Sequence, residues 1–147
     1  MTLKTDYFPE LTTLVRQALY QHLRPETPTL LSMMSDDILF EFPYALPGSV
    51  PSIKGKSALA AHLAQIAGLI SLESMTLHNT VIDPYAKRAV LEISCRGIAP
   101  ETGNRYDQQY VCVLTLQDGL ISHWRDYWNP LIVLNALGQQ TNTGENS

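Results

Sequence analysis

The stretch HWRDYWNPL, residues 123–131, places an aspartate between two tryptophans and then ends at an Asn-Pro pair. Side chains of a β-strand alternate between its two faces, so Trp124, Asp126 and Trp128 would share one face. Pro130 cannot continue a central strand but suits the first turn of a helix. The pattern therefore predicts a last strand that carries one carboxylate on an aromatic wall, followed by a helix.

The turn before this strand decides which side chains of the preceding strand share that wall. A two-residue turn at the Asp-Gly pair would bring Val111 and Val113 there. A three-residue loop, with Gly119 in the left-handed conformation, would bring Tyr110 and Cys112 there instead. We favour the three-residue loop because it gathers apolar and aromatic side chains on one face. It predicts positive φ at Gly119 and Tyr110 opposite the aspartate.

The rest of the chain divides into a helical first half and a strand-rich second half. Apolar residues at helical spacing and β-branched or aromatic runs predict helices over Pro9–Leu23 and Ser57–Leu69, a short helical piece over Pro28–Met34, and strands over Ile38–Phe42, Leu72–Ile82, Lys87–Ile98, Arg105–Leu116 and Leu120–Trp128. Helices followed by an antiparallel meander indicate the α+β class, with the helices on one face of the sheet. We expect a single domain over residues 1–138 and a disordered polar tail over 139–147.

Composition narrows the function classes. The chain has 147 residues, 45% of them hydrophobic and 16% charged, with a net charge of -4. The ten basic residues are scattered, so nucleic acid is not an expected partner. The longest uncharged run, residues 57–72, contains His62 and Gln65 and is short for a membrane span, which indicates a soluble helix. Without an apolar N-terminal segment, we expect a cytoplasmic protein that does not bind membranes.

The cysteines and histidines show no metal-ligand spacing. Cys95 and Cys112 both fall in predicted strands, where a disulfide is one alternative and two buried thiols are the favoured one. The four histidines are far apart, and neither a Cys-x-x-Cys nor a glycine-rich nucleotide motif is present. The sequence therefore predicts no cofactor.

Four segments carry a resemblance to a known superfamily: FEFPYALPG (40–48), IKGKSAL (53–59), TGNRYDQQY (102–110) and DGLISHWRDYWNPL (118–131). Over residues 8–138 the chain resembles the nuclear-transport-factor-two-like superfamily, and within it the SnoaL-like, limonene-epoxide-hydrolase-like and ketosteroid-isomerase-related proteins. The resemblance implies a strongly curved antiparallel sheet wrapped by N-terminal helices into a cone, the cystatin-like architecture. It also implies a pocket for small, mostly apolar ligands and a homodimer. The superfamily contains both enzymes and binding proteins, so the fold alone implies no single reaction.

The resemblance can be carried over residue by residue. In the epoxide hydrolases, the aspartate of a Trp-x-Asp-x-aromatic stretch on the last strand acts as an acid or base, and Asp126 matches it. Their Arg-x-Asp pair on an earlier strand corresponds to Val90-Leu91-Glu92, which keeps an acid and lacks the arginine. Their tyrosine and asparagine on the first strand become Phe40 and Phe42. The steroid isomerases place their base before a proline, where this chain has the same Phe42.

Candidate site residues follow from these patterns. The candidate catalytic residues are Asp126 and Glu92, and the candidate ligand-binding residues are Trp124, Trp128, Tyr110, Phe40, Phe42, Arg96 and His62. A carboxylate on a dry aromatic wall should have a pKa above the usual aspartate value of about 3.9. The alternative for Asp126 is a structural ion pair with Arg96 or Arg125. The face of Glu92 and Arg96 either lines the cone or faces water, and His62 either lines the cone or is an ordinary edge histidine.

Three functions remain open. The favoured one is an enzyme that acts on a small apolar metabolite by proton transfer, of the cyclase, isomerase or epoxide-hydrolase type. The second is a binding module with the same pocket and no catalysis, and the third is a dimeric assembly protein whose cone is filled by its own side chains. The enzyme is favoured because binding alone gives no reason to keep an acid on an aromatic wall. A homodimer is expected because the convex face of the sheet would expose Val111, Val113, Tyr127 and His123.

Overall fold

The computed structural model describes residues 5–138, and the predicted disordered tail at 139–147 lies outside the described residues. Three α-helices and seven strands follow one another along the chain. The helices are α1 (Pro9–Leu19), α2 (Lys56–Leu69) and α3 (Pro130–Ala136). The strands are β1 (Met34–Glu41), β2 (Ser52–Lys54), β3 (Ser71–Asp83), β4 (Arg88–Ala99), β5 (Asn104–Arg105), β6 (Gln108–Gln117) and β7 (Leu120–Trp128).

The helix boundaries follow from local chemistry. Pro9 opens α1, where its missing N–H costs no helical hydrogen bond. The helix ends earlier than the predicted Leu23, because Tyr20 takes a positive φ of 37° and a 3₁₀ turn follows. The weak helical piece predicted near Pro28 is a 3₁₀ turn over Leu31–Met33. By contrast, α2 matches its predicted bounds to within one residue.

The strands form one curved sheet in the order β2-β1-β7-β6-β4-β3, with β5 paired to β4. The predicted α+β class and cone are confirmed. The sheet is mixed rather than wholly antiparallel, because β1 pairs in parallel with β7 while the other pairs are antiparallel. Hairpin connections impose antiparallel pairing only on sequential strands, and β1 and β7 lie at opposite ends of the sequence. The pattern of side chains therefore could not reveal their relative direction.

The β6–β7 hairpin differs from the predicted one and still reaches the predicted arrangement of faces. Asp118 and Gly119 both take positive φ, 54° and 77°, which is the geometry of a two-residue type I′ turn. The expected three-residue loop is therefore wrong. A β-bulge further along shifts the register: Leu116 pairs with Ile121, but Thr115 pairs with His123. Ser122 is the extra residue.

The bulge restores the arrangement of faces that a three-residue loop would have produced. Cys112 lies opposite Asp126, and Leu114 lies opposite Trp124. The predicted partner of Asp126 is wrong by one step along that face, since Tyr110 pairs with Trp128. The predicted side chains therefore share one face of the sheet, but β6 and β7 pair in a different register from the predicted one.

The core lies between the concave face of the sheet and the helices. Leu91, Leu114 and Trp124 from the sheet are almost completely buried, as are Val15 and Leu19 of α1. Both cysteines are buried and free, as favoured from the sequence. Within residues 5–138, none of the helices combines the length and apolar character needed to cross a bilayer.

Candidate functional site

A cavity of about 460 Å³ remains on the concave side of the sheet. Its walls come from all three helices, from the β1–β2 loop, and from the inner faces of β1, β3, β4, β6 and β7. This volume could hold roughly fifteen water molecules at about 30 Å³ each, which is in the range of small-molecule pockets. The cone is therefore not filled by its own side chains, which removes the main argument for a purely structural assembly protein.

Most of the candidate site residues line this cavity. They are Asp126, Trp124, Trp128, Tyr110, Phe40, Phe42 and His62. They arrive from three strands and one helix that are far apart in sequence. The period of two along each strand turns their side chains to the same side.

Glu92 and Arg96 lie elsewhere, and their predicted place in the site needs correction. Both are exposed, on the convex side of β4. Ala89, Leu91 and Ile93 of the same strand are buried on the concave side. Alternate residues of a strand point to opposite faces of the sheet. Since the apolar residues of β4 point to the concave side, Glu92 and Arg96 point to the convex side. Neither side chain can reach a ligand in the cavity.

Among the described residues that line the cavity, Asp126 is the one carboxylate. Its Oδ1 accepts two hydrogen bonds, one from Trp124 Nε1 and one from Cys112 Sγ, each at 3.3 Å. Among the described residues it has no salt bridge, so the alternative pairing with Arg96 or Arg125 is not formed. Burial raises the pKa of Asp126 to about 6, although the two hydrogen bonds oppose that rise.

The two carboxylate oxygens of Asp126 have different surroundings. In residues 5–138 no group donates a hydrogen bond to Oδ2, and Oδ2 is not among the polar atoms sealed away from accessible space. Since Asp126 lines the cavity, Oδ2 is the oxygen that a ligand can contact.

Aromatic rings surround this carboxyl. The rings of Phe40 and Trp124 stack with centroids 5.2 Å apart and planes 16° apart. Phe42 lies 4.9 Å from Trp128 and 5.2 Å from His62, again between ring centroids. These offset contacts are favourable ring geometries, and they make the wall on which the carboxyl lies apolar. An apolar wall contributes to the burial that raises the pKa of Asp126.

A pair of tyrosines forms a second polar point in the cavity. The hydroxyls of Tyr106 and Tyr110 are 2.7 Å apart, and burial raises the pKa of both phenols. Of their two protons, one is used in the mutual hydrogen bond. The other proton can be donated to a ligand oxygen in the cavity, where it competes with donation to the sulfur of Cys95. Sequence reasoning missed Tyr106, although it lies in the segment TGNRYDQQY that carries the resemblance.

His62 contributes a neutral imidazole from α2. Burial lowers the pKa of His62, which favours its uncharged form near pH 7. Its ring nitrogens have no hydrogen-bond partner within residues 5–138 and are not sealed from accessible space. The side chain can therefore donate or accept a hydrogen bond at the helical wall of the cavity.

The end of β7 is fixed by side-chain hydrogen bonds. Gln108 is completely buried and clamps Asn129, because its Oε1 accepts from the Asn129 backbone N–H and its Nε2 donates to the Asn129 carbonyl. Asn129 in turn caps α3 by accepting from Leu131 N–H at 3.0 Å. At the other end of α3, Thr102 donates to the carbonyl of Ala136. These bonds hold α3 against the cavity. The helix begins at Pro130, as the Asn-Pro pair at the end of the last strand predicted.

No group of three or more His, Cys, Asp or Glu side chains in residues 5–138 is close enough together to hold a metal ion. The polar groups that line the cavity include a carboxyl with a pKa near neutrality, a hydrogen-bonded phenol pair, an imidazole and a thiol, besides the side chains of Ser49 and Gln65. Such a set can exchange one proton with an apolar ligand and can donate a hydrogen bond to a ligand oxygen.

Comparison with known proteins gives a consistent answer. The sequence profile of the SnoaL-like domain matches residues 17–124. The chain is 33% identical over 124 residues to an uncharacterized protein of Bacillus subtilis named YesE, and the match covers 84% of each chain. These two matches each span most of the described chain.

Solved structures share the same fold. A candidate isomerase from Bacillus subtilis superposes with a TM-score of 0.75 at 31% identity, covering 92% of this chain and 98% of that one. A candidate SnoaL-like polyketide cyclase from Mesorhizobium loti has a TM-score of 0.62 at 19% identity, covering 79% of this chain and 91% of that one. At 19% identity the second likeness concerns the fold alone.

Proposed function

Since the chain belongs to the SnoaL-like domain family of the nuclear-transport-factor-two-like superfamily, we propose that it is a small-molecule enzyme with Asp126 as its acid/base residue. Its substrate would be an apolar metabolite that fits the cavity of about 460 Å³ and carries one oxygen function. The family also contains proteins that bind without reacting, so membership by itself does not choose between these functions.

One observation carries the proposal. A single carboxyl without a cationic partner lies on an aromatic cavity wall, with Oδ2 open to a ligand and a pKa raised to about 6 by burial. A carboxyl with a pKa near the working pH can both take and return a proton, which an ordinary aspartate does poorly at pH 7. A binding site for an apolar ligand would bind more tightly with an apolar side chain at this position.

The cavity groups support proton transfer beside a carbonyl. The anion of Asp126 would remove a proton from a carbon next to the carbonyl, and the electron pair of that C–H bond would move onto the carbonyl oxygen as an enolate. The second proton of the Tyr106–Tyr110 pair would form a hydrogen bond to this oxygen. With a β,γ-unsaturated ketone the product is a dienolate, and Asp126 would return the proton to its γ-carbon, which completes an isomerisation. In a cyclase the enolate carbon would instead attack a second carbonyl of the substrate, and Asp126 would return its proton to the alkoxide formed.

An isomerase or cyclase fits these residues better than a hydrolase. Opening an epoxide with water requires polar groups that hold and activate the water. Phe40 and Phe42 occupy the first-strand positions that are polar in the epoxide hydrolases, and both rings are buried against the tryptophans. The solved candidate isomerase at 31% identity supports the same choice.

The experiment is a proton-exchange assay on a panel of cyclic ketones in deuterated water. Wild-type protein should introduce deuterium next to the carbonyl of at least one panel member, with a rate that rises through pH 6 as Asp126 loses its proton. Asp126→Asn should abolish the exchange, at least about a hundredfold, because it removes a general base. Asp107→Asn, which alters an exposed aspartate outside the cavity, should exchange like wild type.

A non-catalytic binding module is the second candidate, favoured by the largely apolar lining of the cavity. It predicts that a ketone of the panel binds equally well to wild-type protein and to Asp126→Asn while neither variant exchanges protons. Exchange that survives in Asp126→Asn would also reject Asp126 as the base.

We also propose that the protein is a homodimer that associates through the convex face of the sheet, and that it acts in the cytoplasm, where its two free thiols would persist. Val111 is 39% exposed there, and Tyr127 of the next strand contacts Tyr44 with ring centroids 5.5 Å apart. Sedimentation at tens of micromolar should give twice the chain mass. Val111→Asp should give the monomer, while Tyr85→Asp, in the exposed turn between β3 and β4, should remain dimeric.

A further inference from the structure

The two hydrogen bonds to Asp126 fall on the same oxygen. Trp124 Nε1 and Cys112 Sγ both donate to Oδ1, each at 3.3 Å, and no described group donates to Oδ2. A carboxylate in water would share its donors between both oxygens. Here the surrounding structure makes the two oxygens chemically different.

The sheet itself produces this asymmetry. Trp124 precedes Asp126 by two residues on the same face of β7, and Cys112 lies directly across on β6. Both donors are almost completely buried, at 1% and 2% exposure. The Trp124 ring is further held by stacking on Phe40. Neither donor can therefore follow the carboxyl if it turns.

We propose that Cys112 and Trp124 are positioning residues that hold Oδ1 of Asp126 and thereby assign Oδ2 as the oxygen that exchanges a proton with the ligand. This inference rests on the proposed acid/base role of Asp126. The inference goes further by specifying which oxygen of Asp126 reacts. It also gives a role to the thiol of Cys112, which the proposed reaction does not otherwise use.

The chemistry follows from these contacts. An oxygen that already accepts two hydrogen bonds is the poorer site for a third proton, so the proton of the neutral acid resides on Oδ2 and points into the cavity. When that O–H bond breaks and the proton moves to a ligand carbon, the charge left on the carboxylate is stabilised at Oδ1 by both donors. No rotation of the carboxyl is needed between the two forms.

A thiol suits this position better than a hydroxyl. S–H is a weak donor, and cysteine otherwise packs as a small apolar residue. A strong donor at residue 112 would stabilise the carboxylate anion further and would lower the pKa of Asp126 away from neutrality. The expected order of Asp126 pKa values is therefore Cys112→Ala highest, wild type next and Cys112→Ser lowest.

The test is a ¹³C NMR titration of the Asp126 carboxyl carbon in the free protein, assigned with Asp126→Asn. Relative to wild type, Cys112→Ala should raise the midpoint by about half a unit to one unit, because the thiol is a weak donor and its bond should contribute no more than an ordinary hydrogen bond. Cys112→Ser should lower it. Cys95→Ala is the matched control, because Cys95 is also buried but donates to the Tyr106 carbonyl, and it should leave the midpoint unchanged.

A second measurement needs no core substitution. In wild-type protein the indole N–H resonance of Trp124 should shift with the same midpoint as the Asp126 carboxyl. The indole N–H of Trp128 has no hydrogen-bond partner in the described residues and should shift much less. Equal midpoints in Cys112→Ala and Cys112→Ser, or a Trp124 resonance that does not follow Asp126, would overturn the inference.

These outcomes are separate from the failure of the proposed function. If Asp126→Asn exchanges protons normally, the acid/base role fails even when the NMR order is as expected. If Asp126→Asn is inactive but Cys112→Ala leaves the midpoint where it is, the acid/base role stands and the positioning role is rejected.

Discussion

Asp107 and Asp126 both lie near the open end of the β6–β7 pair, away from the hairpin turn, and experience opposite environments. Asp107 is exposed at the start of β6, where Arg105 binds it at 2.7 Å and also binds Glu73 at 3.0 Å. Those contacts, led by the hydrogen bond from Arg105, lower the pKa of Asp107. Asp126 lies on the concave side among aromatic rings without a cation, and burial raises its pKa to about 6.

The difference shows how two positions in one sheet can give the same residue type two different roles. On the exposed side, water and a neighbouring guanidinium stabilise the charged carboxylate, so Asp107 helps to hold the sheet edge. On the concave side, the same group is kept partly neutral and open to a ligand. The face on which an aspartate lies, and not its residue type, determines whether it stabilises structure or can transfer protons.

The largest expected change in the free energy of unfolding comes from replacing Asp126, the carboxyl on the concave side, by a neutral residue. The ordinary pKa of 3.8 in the unfolded chain rises to about 6 on folding, so the folded protein holds this proton more tightly. The stability due to protonation is fully present below about pH 4 and is lost as pH rises through about 6. Two pKa units correspond to at most about 3 kcal/mol of unfolding free energy.

Asp126→Asn should therefore be more stable than wild type at pH 8, by up to about 3 kcal/mol, with the gain disappearing toward pH 4. The asparagine Oδ1 can still accept from Trp124 and Cys112, so the packing is retained. Urea unfolding of both proteins at pH 4, 6 and 8 measures the difference. A variant that is less stable than wild type at pH 8 would show that the carboxylate is favourably solvated or paired.

The opposite sign and a smaller effect are expected for Asp107→Asn. The folded pKa of Asp107 is lowered, so its contribution is present above the unfolded value of 3.8 and is lost as pH falls through the folded value. The variant should be slightly less stable than wild type at pH 8, and added salt should reduce that loss because the pair is exposed. The same urea series with and without 0.5 M salt tests this, and a loss that is insensitive to salt would contradict it.

This contrast between faces could be predicted from the sequence in large part. The alternation of side chains placed Trp124, Asp126 and Trp128 on one wall, and the β-branched runs located the long strands. The hairpin shows the limit of such reasoning. The Asp-Gly pair makes the two-residue turn typical of its sequence, and the bulge at Ser122 then reverses the consequence for the faces. A bulge leaves no local signature that fixes its position, because any strand residue can be the unpaired one.

Three further features of the structure could not be read from the sequence. The alternation along β4 left open whether the face of Glu92 and Arg96 lines the cone or meets water, and the burial of the apolar set on the concave side decides for water. Tyr106 was missed because it lies between β5 and β6, where no strand alternation indicates its direction. Only the hydrogen bond to Tyr110 reveals that it belongs to the cavity. The parallel pairing of β1 with β7 was likewise invisible, since it depends on how the whole sheet closes.

The most direct test of the central claim is to titrate Asp126 and Asp107 in one sample of wild-type protein, labelled with ¹³C at the aspartate carboxyls. We expect a midpoint of about 6 for Asp126 and a midpoint below 3.8 for Asp107. A midpoint at or below about 4 for Asp126 would contradict it, because a carboxyl that is fully ionised at neutral pH is not held by the aromatic wall in a proton-exchanging state. The cavity would then be better interpreted as a binding site without acid/base chemistry.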